Sequence, residues 1–331
     1  MDKGSIMSEV SYSVTIDDSR CTNCALCVAF CPVEVFEERT EDTTPLIAFP
    51  ELCWGCETCV GQCPQNALRV TPIGGIDPFV NRSVRAPLSA EQSELYRNWT
   101  TVLKRTLGLR WEPVSVTLIA AGDPLPDVPV PAERLRYCQS LMAARRGRSI
   151  MMPANRHACP DGTAILGLTD LPPKLASGEL YKLFHKLDSV EAAQHMVNER
   201  PHLDPRSIDA TVVTPLEKAA VEPQVIVVFA QPEQMMWLCM SASYYTGHRF
   251  VFHASGYNAQ CVETTLIPFT SGEPNISFGC YGCRASSDIG DDIMFMGIPV
   301  ALMPTIVKGL DELGKKAIPQ SRNKIYLPPL I

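Results

Sequence analysis

Hydrophobic and polar positions fall into two regimes along the chain. Before about residue 72 the apolar residues come in short strand-like pieces, VEVF at 33–36 and NALRV at 66–70, each too brief to bury a core alone. After about residue 90 the pieces lengthen. Ser89 is placed to cap a helix over Ala90–Leu107 that puts Leu95, Trp99, Val102 and Leu103 on one face. VSVTLIA at 114–120 and VIVVFA at 225–230 predict buried strands, and RLRYCQSLMAARRG predicts a helix from about Ala132 to Arg146, ended by Gly147. PEQMMWLCMSASYYTG predicts a helix opened by Pro232 and closed by Gly247, with Trp237, Cys239, Tyr244 and Tyr245 in the core. IMFMGIPVALMPTIV at 293–307 is shorter than the roughly 20 residues that span a bilayer and carries Gly297, Pro299 and Pro304. It reads as core, and no membrane span is expected.

Between the regimes lies TPIGGIDPFVNRSVRAPLSA, rich in Gly and Pro and without period, the composition of a linker. The expected division is therefore a small domain at 12–72, a linker at 73–89, a larger domain at 90–315 and a tail at 316–331. The expected fold class is α+β overall, with a larger mixed α/β domain second. A chain of 331 residues is long enough for both.

Cysteine placement changes the picture. Of fourteen, eight lie between Cys21 and Cys63 and six are scattered from Cys138 to Cys283. CTNCALCVAFCP at 21–32 recurs 32 residues later as CWGCETCVGQCP at 53–64, with the same spacing and terminal proline. Clustering at short fixed intervals reads as metal ligation rather than a disulfide framework. The start of the chain lacks the charged, apolar and small-residue pattern of an export signal, so a reducing cytoplasm is expected. Paired zinc sites are the plainer alternative, but zinc takes two pairs of ligands per site and has no use for repeated four-cysteine runs closed by proline.

These runs resemble the bacterial two-cluster ferredoxins over roughly residues 12–72. The resemblance implies two [4Fe-4S] clusters with crossed ligation: Cys21, Cys24, Cys27 and Cys63 for one, Cys53, Cys56, Cys59 and Cys31 for the other. Pro32 and Pro64 redirect the chain after a ligand without a wasted N–H, and loop amides such as that of Gly55 are free to point at cluster sulfurs. The implied chemistry is electron transfer.

Charge is uneven. Of a net −7, residues 13–72 hold nine acids (Asp17, Asp18, Glu34, Glu37, Glu38, Glu41, Asp42, Glu51, Glu57) against Arg20, Arg39 and Arg69. No basic stripe displaces counterions, which argues against nucleic acid. The acidic end suits a basic redox partner, or simply a solvated face.

The larger domain has no Gly-x-Gly-x-x-Gly after a strand, no Gly-Lys-Ser/Thr loop and no Gly-x-Ser-x-Gly elbow, so neither a nucleotide cofactor nor a hydrolase is indicated. It does hold Cys138, Cys159 in HACPDG, Cys261 in YNAQCVET, and Cys280 with Cys283 in Gly279-Cys280-Tyr281-Gly282-Cys283-Arg284. These segments resemble the "domain of unknown function 169" family, over roughly residues 90–315, which shows cysteines at the places of Cys138, Cys159, Cys261 and Cys280 and has no assigned role. The four either converge on a third iron-sulfur cluster, with Cys283 as a substitute thiol, or are each a small buried hydrophobe. His157 and Arg284 are the candidate catalytic residues, His157 as a proton donor. Arg145, Arg146 and Arg148 suit a helix C-terminus or an anion. Asp288, Asp291 and Asp292 read as a solvated turn or an acid cluster.

Two functions from different classes follow. One is an anaerobic oxidoreductase, or a component of one, that passes electrons through two clusters to a third, cysteine-bound centre reducing a small organic substrate. The other is an electron-carrier subunit or redox scaffold with no substrate of its own. A maturation or sensor protein holding a labile metal is a third.

Overall fold

The computed structural model describes residues 12–38, 43–73 and 86–322. Most of the expected linker, the end of the tail, and Arg39, Glu41 and Asp42 of the acidic segment lie outside the described residues.

The small domain is a duplicated unit. In chain order it comprises β1 (Tyr12–Ile16), α1 (Leu26–Phe30), β2 (Phe36–Glu37), β3 (Leu46–Ile47), α2 (Thr58–Gln62) and β4 (Leu68–Pro72). β1 pairs antiparallel with β4, from Tyr12 opposite Pro72 to Ile16 opposite Leu68, and β2 pairs with β3. The 32-residue repeat of the sequence is also a repeat of backbone geometry. Left-handed conformations recur at Asn23 and Gly55, at Ala25 and Glu57, and at Glu34 and Asn66. Five of these six are not glycine, and each such residue costs of order 1–3 kcal/mol, a strain retained where the surroundings over-determine the loop.

The larger domain is built on a six-stranded sheet. Its elements are α3 (Ala90–Leu107), β5 (Val114–Ala120), α4 (Tyr137–Ala144), β6 (Ile150–Pro153), α5 (Pro160–Ile165), α6 (Pro173–Ala176), α7 (Glu179–Leu183) and α8 (Val190–Glu199). There follow β7 (Ile208–Pro215), β8 (Val225–Ala230), α9 (Pro232–Ser243), a π-helix over Ala259–Leu266, α10 (Ile267–Ser271), β9 (Asn275–Ser277), α11 (Tyr281–Ser286), β10 (Met294–Pro299), α12 (Met303–Lys315) and α13 (Ala317–Ser321). The strand order is β6-β7-β5-β8-β10-β9, with every pairing antiparallel. This makes the domain α+β in the strict sense, its helices covering an antiparallel sheet rather than crossing between parallel strands.

Alternation along the strands assigns the two faces. Val225, Val227 and Phe229 turn toward α4, α5 and the π-helix. Ile226, Val228 and Ala230 turn toward α3, α9 and α12. Both faces are covered, which is why VSVTLIA and VIVVFA read as continuous apolar runs. α3 begins in a capping box, with the Gln92 amide donating to Ser89 Oγ at 3.1 Å and the Ser89 amide to Gln92 Oε1 at 3.1 Å. Its buried face takes Tyr96, Trp99, Val102 and Leu103, while Leu95, expected there, is exposed. The expected helix over 132–146 is shorter, because residues before Tyr137 run extended and Leu135 bridges to His157. On α9 Trp237 is buried and Cys239 packs against the core, but Tyr244 and Tyr245 are exposed, edge to face at the helix end, correcting their placement in the core. IMFMGIPVALMPTIV is divided by its prolines into β10, one 3₁₀ turn and the start of α12.

Among the described residues, two contacts join the domains through side chains. Phe30 of α1 packs with Leu175, Leu180, Tyr181 and Val197, its ring 4.8 Å from Phe184, and Lys174 Nζ donates to the Val28 carbonyl at 2.9 Å, near the end of α1. At the second place Tyr12 Oη donates to the Asn155 carbonyl at 3.4 Å beneath Arg134.

Behind the first contact lies a buried ion pair. Arg200 Nη1 donates to Asp161 Oδ1 at 2.5 Å and to Tyr181 Oη at 2.7 Å; Asn258 Nδ2 donates to Asp161 Oδ2 at 2.5 Å, and Tyr181 donates to the same oxygen. The four side chains tie α5, α7, the end of α8 and the start of the π-helix together. Removing one partner leaves a charge buried alone, so Arg200→Met is expected to cost about 3–5 kcal/mol in chemical denaturation, and Arg200→Met with Asp161→Leu to recover part of it. Gly297→Ala is expected to lower the denaturation midpoint by at least about 1–3 kcal/mol of stability, because its Cβ would stand 2.1 Å from the Thr264 carbonyl oxygen of the π-helix.

Candidate metal centres

The small domain has two pockets between its helices and strands. One is lined by Cys21, Cys24, Cys27 and Cys63 with Ile16 and Leu68. The other is lined by Cys31, Cys53, Cys56 and Cys59 with Val14 and Val70. Each therefore draws three thiols from one run and the fourth from the other. The fourth thiol ends a short helix: Cys31 caps α1 and Cys63 caps α2, and each turns its sulfur back under the chain to accept an amide four residues on, Val35 to Cys31 and Ala67 to Cys63, both at 3.3 Å. Burial pushes the Cys27 and Cys53 thiols up to about 11 and Cys59 higher still, against amide donation that favours the thiolate. A buried thiol of this kind gives up its proton when metal supplies the opposing charge.

A second gathering of thiols lies on the α4 side of the large sheet. Cys138 stands on α4, Cys159 caps α5, Cys261 lies in the π-helix and Cys280 caps α11. A Cβ on Gly162 would meet Cys159 Sγ at 3.6 Å and Cys261 Sγ at 3.7 Å, so these two sulfurs flank one glycine that leaves them room. Burial raises Cys138, Cys159 and Cys261, and the thiolates add to one another: Cys280 on Cys138, Cys138 on Cys159, Cys159 and Cys280 on Cys261. The structure thus brings together all four scattered cysteines. Cys283 joins them: its sulfur accepts the Cys280 amide at 3.0 Å, its amide donates to Cys280 Sγ at 3.4 Å, and the shared contact pulls Cys280 down and pushes Cys283 up. Cations adjoin the set. Arg136 acts on Cys138 and Cys159, Arg200 on Cys261 and Lys186 on Cys280.

Neither gathering suits a single ion. Among the described residues no three His, Cys, Asp or Glu side chains come close enough to share one metal ion. Tetrahedral zinc with bonds of about 2.3 Å holds its thiolates within about 4 Å of one another. Thiolates that each bind a different iron of one cluster are spread wider.

The candidate catalytic residues are placed otherwise. His157 is buried, its Nε2 3.2 Å from the Met152 carbonyl oxygen and 3.3 Å from Thr211 Oγ1, and burial drives it down to about 3. Burial thus disfavours the imidazolium form that a general acid needs. Arg284 spends its guanidinium on the carbonyls of Phe278, Gly290 and Ile293, clamping the loop around α11. Arg145 is buried over Trp111, 4.1 Å from the ring, and meets Asp288 at 3.1 Å, with Arg146 on the same carboxylate. Asp288 thus pairs with both arginines and is not simply a solvated turn, while Arg145 Nε and Nη1 stay buried without a hydrogen-bond partner. The groups sequence reading missed are Arg134, Arg136, Asp161, Lys186 and Arg200. Asp161 alone carried a signal, standing two residues after a cysteine in CPDG.

No helix among the described residues is long and apolar enough to cross a membrane. Residues 20–68 match the 4Fe-4S dicluster domain, and residues 102–309 match the domain of unknown function 169, described as uncharacterised ArCR. An uncharacterized protein of Methanocaldococcus jannaschii is 28% identical over 181 residues, covering 54% of this chain and 77% of its own. An uncharacterized ferredoxin of the same organism is 44% identical over 62 residues, 18% of this chain and 97% of its own. The beta subunit of adenylylsulfate reductase from Megalodesulfovibrio gigas is 29% identical over 69 residues, 19% of this chain and 41% of its own. No solved structure matches the chain. With more than half its length under one description and eight cysteines under the other, this iron-sulfur protein belongs to the domain of unknown function 169 family and carries a 4Fe-4S dicluster domain ahead of it.

Proposed function

We propose that the chain is an anaerobic oxidoreductase, or a component of one, whose cysteines hold three iron-sulfur clusters in line with a small organic substrate. In the small domain Cys21, Cys24, Cys27 and Cys63 hold one [4Fe-4S] cluster, and Cys53, Cys56, Cys59 and Cys31 the other. The observation that carries this is the crossed lining of the two pockets, three thiols from one run and the fourth from its repeat. Clusters with all irons bound by protein thiolates supply single-electron transfer and nothing else. The acidic exterior of this domain receives a basic redox partner.

Cys138, Cys159, Cys261 and Cys280 hold the third centre. Support comes from their meeting across four separate elements, from the glycine between two of the sulfurs, and from the surrounding cations. Arg136, Arg200 and Lys186 offset the negative charge that buried thiolates bring, and a structural role for four lone hydrophobes has no need of them. A π-helix supports the same reading, since these distortions are frequent at functional sites. Cys283 stands as a fifth thiol, able to replace Cys280. The carrier reading, a subunit with no substrate of its own, draws on the likeness of the small domain to a reductase's beta subunit.

Iron and sulfide analysis with EPR on anaerobically purified full-length protein is the test. The wild type is expected to hold three clusters, and Cys261→Ser to hold two with the small-domain signals intact. A wild type with two clusters would remove the third centre and leave the carrier reading, whereas a Cys261→Ser variant that keeps all three would remove Cys261 from its ligands.

A further inference from the structure

Across the domain boundary Arg134 meets the small domain at the Tyr12 contact, beside the Cys53–Cys56 loop. Tyr12 is the hinge of that contact. A Cβ on Gly55 would fall 2.4 Å from the Tyr12 ring, so the Cys53–Cys56 loop lies directly against the ring. The Arg134 guanidinium sits 5.5 Å from the same ring's centre and donates through Nη2 to the His157 carbonyl. Its Nε and Nη1 are buried with no hydrogen-bond partner. Two unpaired donors on a buried cation are costly unless an anion faces them. Burial lowers the Arg134 pKa, and Tyr12, Cys56, Glu57 and Cys53 act to hold it up; Arg134 in turn favours the Cys53 thiolate. Around Cys27, in the other set, the charges that act are those of Cys21 and Cys24.

Arg134 also begins a short two-stranded passage into the second gathering of thiols. The Leu135 amide donates to the Arg156 carbonyl at 3.0 Å and the Ala158 amide to the Leu135 carbonyl at 2.9 Å. One strand of the passage reaches Arg136 and Cys138, the other Cys159. α1 meets the larger domain elsewhere, through Phe30 and through Lys174, whose ammonium reaches the Val28 carbonyl beside Cys27.

We infer that Arg134 is a positioning residue: it places its charge on the Cys31, Cys53, Cys56 and Cys59 set across the Tyr12 contact and raises the reduction potential of the cluster held there. The inference rests on the reading that these eight cysteines hold two clusters, and it does not depend on the third.

The test is an EPR-monitored redox titration of the full-length protein with Arg134→Gln and Arg134→Lys, the small-domain signals assigned by Cys56→Ser and Cys24→Ser. In Arg134→Gln one midpoint is expected to fall, so that at the wild-type midpoint the reduced-to-oxidised ratio drops about tenfold, 59 mV for a one-electron couple. The signal that moves is expected to be the one lost in Cys56→Ser, and Arg134→Lys, which keeps the charge on a different stem, is expected to move it less. If Arg134→Gln does not load iron, the Lys variant decides in the same titration by whether that one midpoint falls. Midpoints that stay in place, or a moving signal that is the one lost in Cys24→Ser, would overturn the inference. A wild type lacking two small-domain clusters would instead overturn the proposed function.

Discussion

A thiolate taken out of water has to be met by a metal or a cation, and both domains are arranged around that demand. Burial raises the thiols of Cys27 and Cys53 in the small domain and of Cys159 and Cys261 in the second gathering. What offsets burial differs between them. In the small domain it is mostly backbone: left-handed residues at matched positions turn amides inward, and the amides of Val35 and Ala67 reach the two sulfurs that end α1 and α2. In the larger domain it is mostly side chains, with Arg136, Arg200 and Lys186 brought from three different segments. The first solution is local and copies easily by duplication. The second needs the whole fold to be in place.

That need explains the shape of the larger domain around the thiols. Four cysteines spread over more than a hundred residues meet because α4, α5, the π-helix and α11 all lie on one face of the sheet. The π-helix is fitted closely. Gly297 of β10 lets the Thr264 carbonyl approach the sheet, and Glu263, buried, accepts from the Ser255 amide at 2.5 Å and its hydroxyl at 2.9 Å and from Ser277. A wider helical turn presents Cys261 to Gly162 and Cys159, and it leaves Gln260 Nε2 buried without a hydrogen-bond partner. The Asp161–Arg200 pair then locks the start of that helix through Asn258.

How far the sequence could be read follows the same division. Local devices were legible: the Ser89 cap, the strands VSVTLIA and VIVVFA to the residue, the prolines in IMFMGIPVALMPTIV, and the repeated cysteine runs. Features that depend on distant partners were not. Tyr244 and Tyr245 are apolar enough for a core, yet α9 ends before the turn that would bury them. Nothing near Arg134 or Arg200 marks them as buried cations, because the anions they answer are supplied from residues far off in the chain. His157 looked poised for chemistry from its place two residues before Cys159, but that neighbourhood is interior, and an interior imidazole stays neutral.

The two contacts between the domains divide the work of joining them. Phe30 with Phe184, reinforced by Lys174, is a packing contact and a helix cap, and it would hold the domains together whatever the cysteines bind. Tyr12 with Arg134 is different, because it leaves two guanidinium donors buried over a ring that packs on the Cys53–Cys56 loop. Stability alone gives no reason to bury a cation half satisfied; an apolar residue there would pack at less cost. The cost is tolerable where the cation faces negative charge at the boundary, and the Cys53–Cys56 loop, pressed against Tyr12, is the part of the small domain that carries it. Docking by Phe30 sets where the domains sit, and the charge of Arg134 sets which of the two cysteine sets is tuned from the other side.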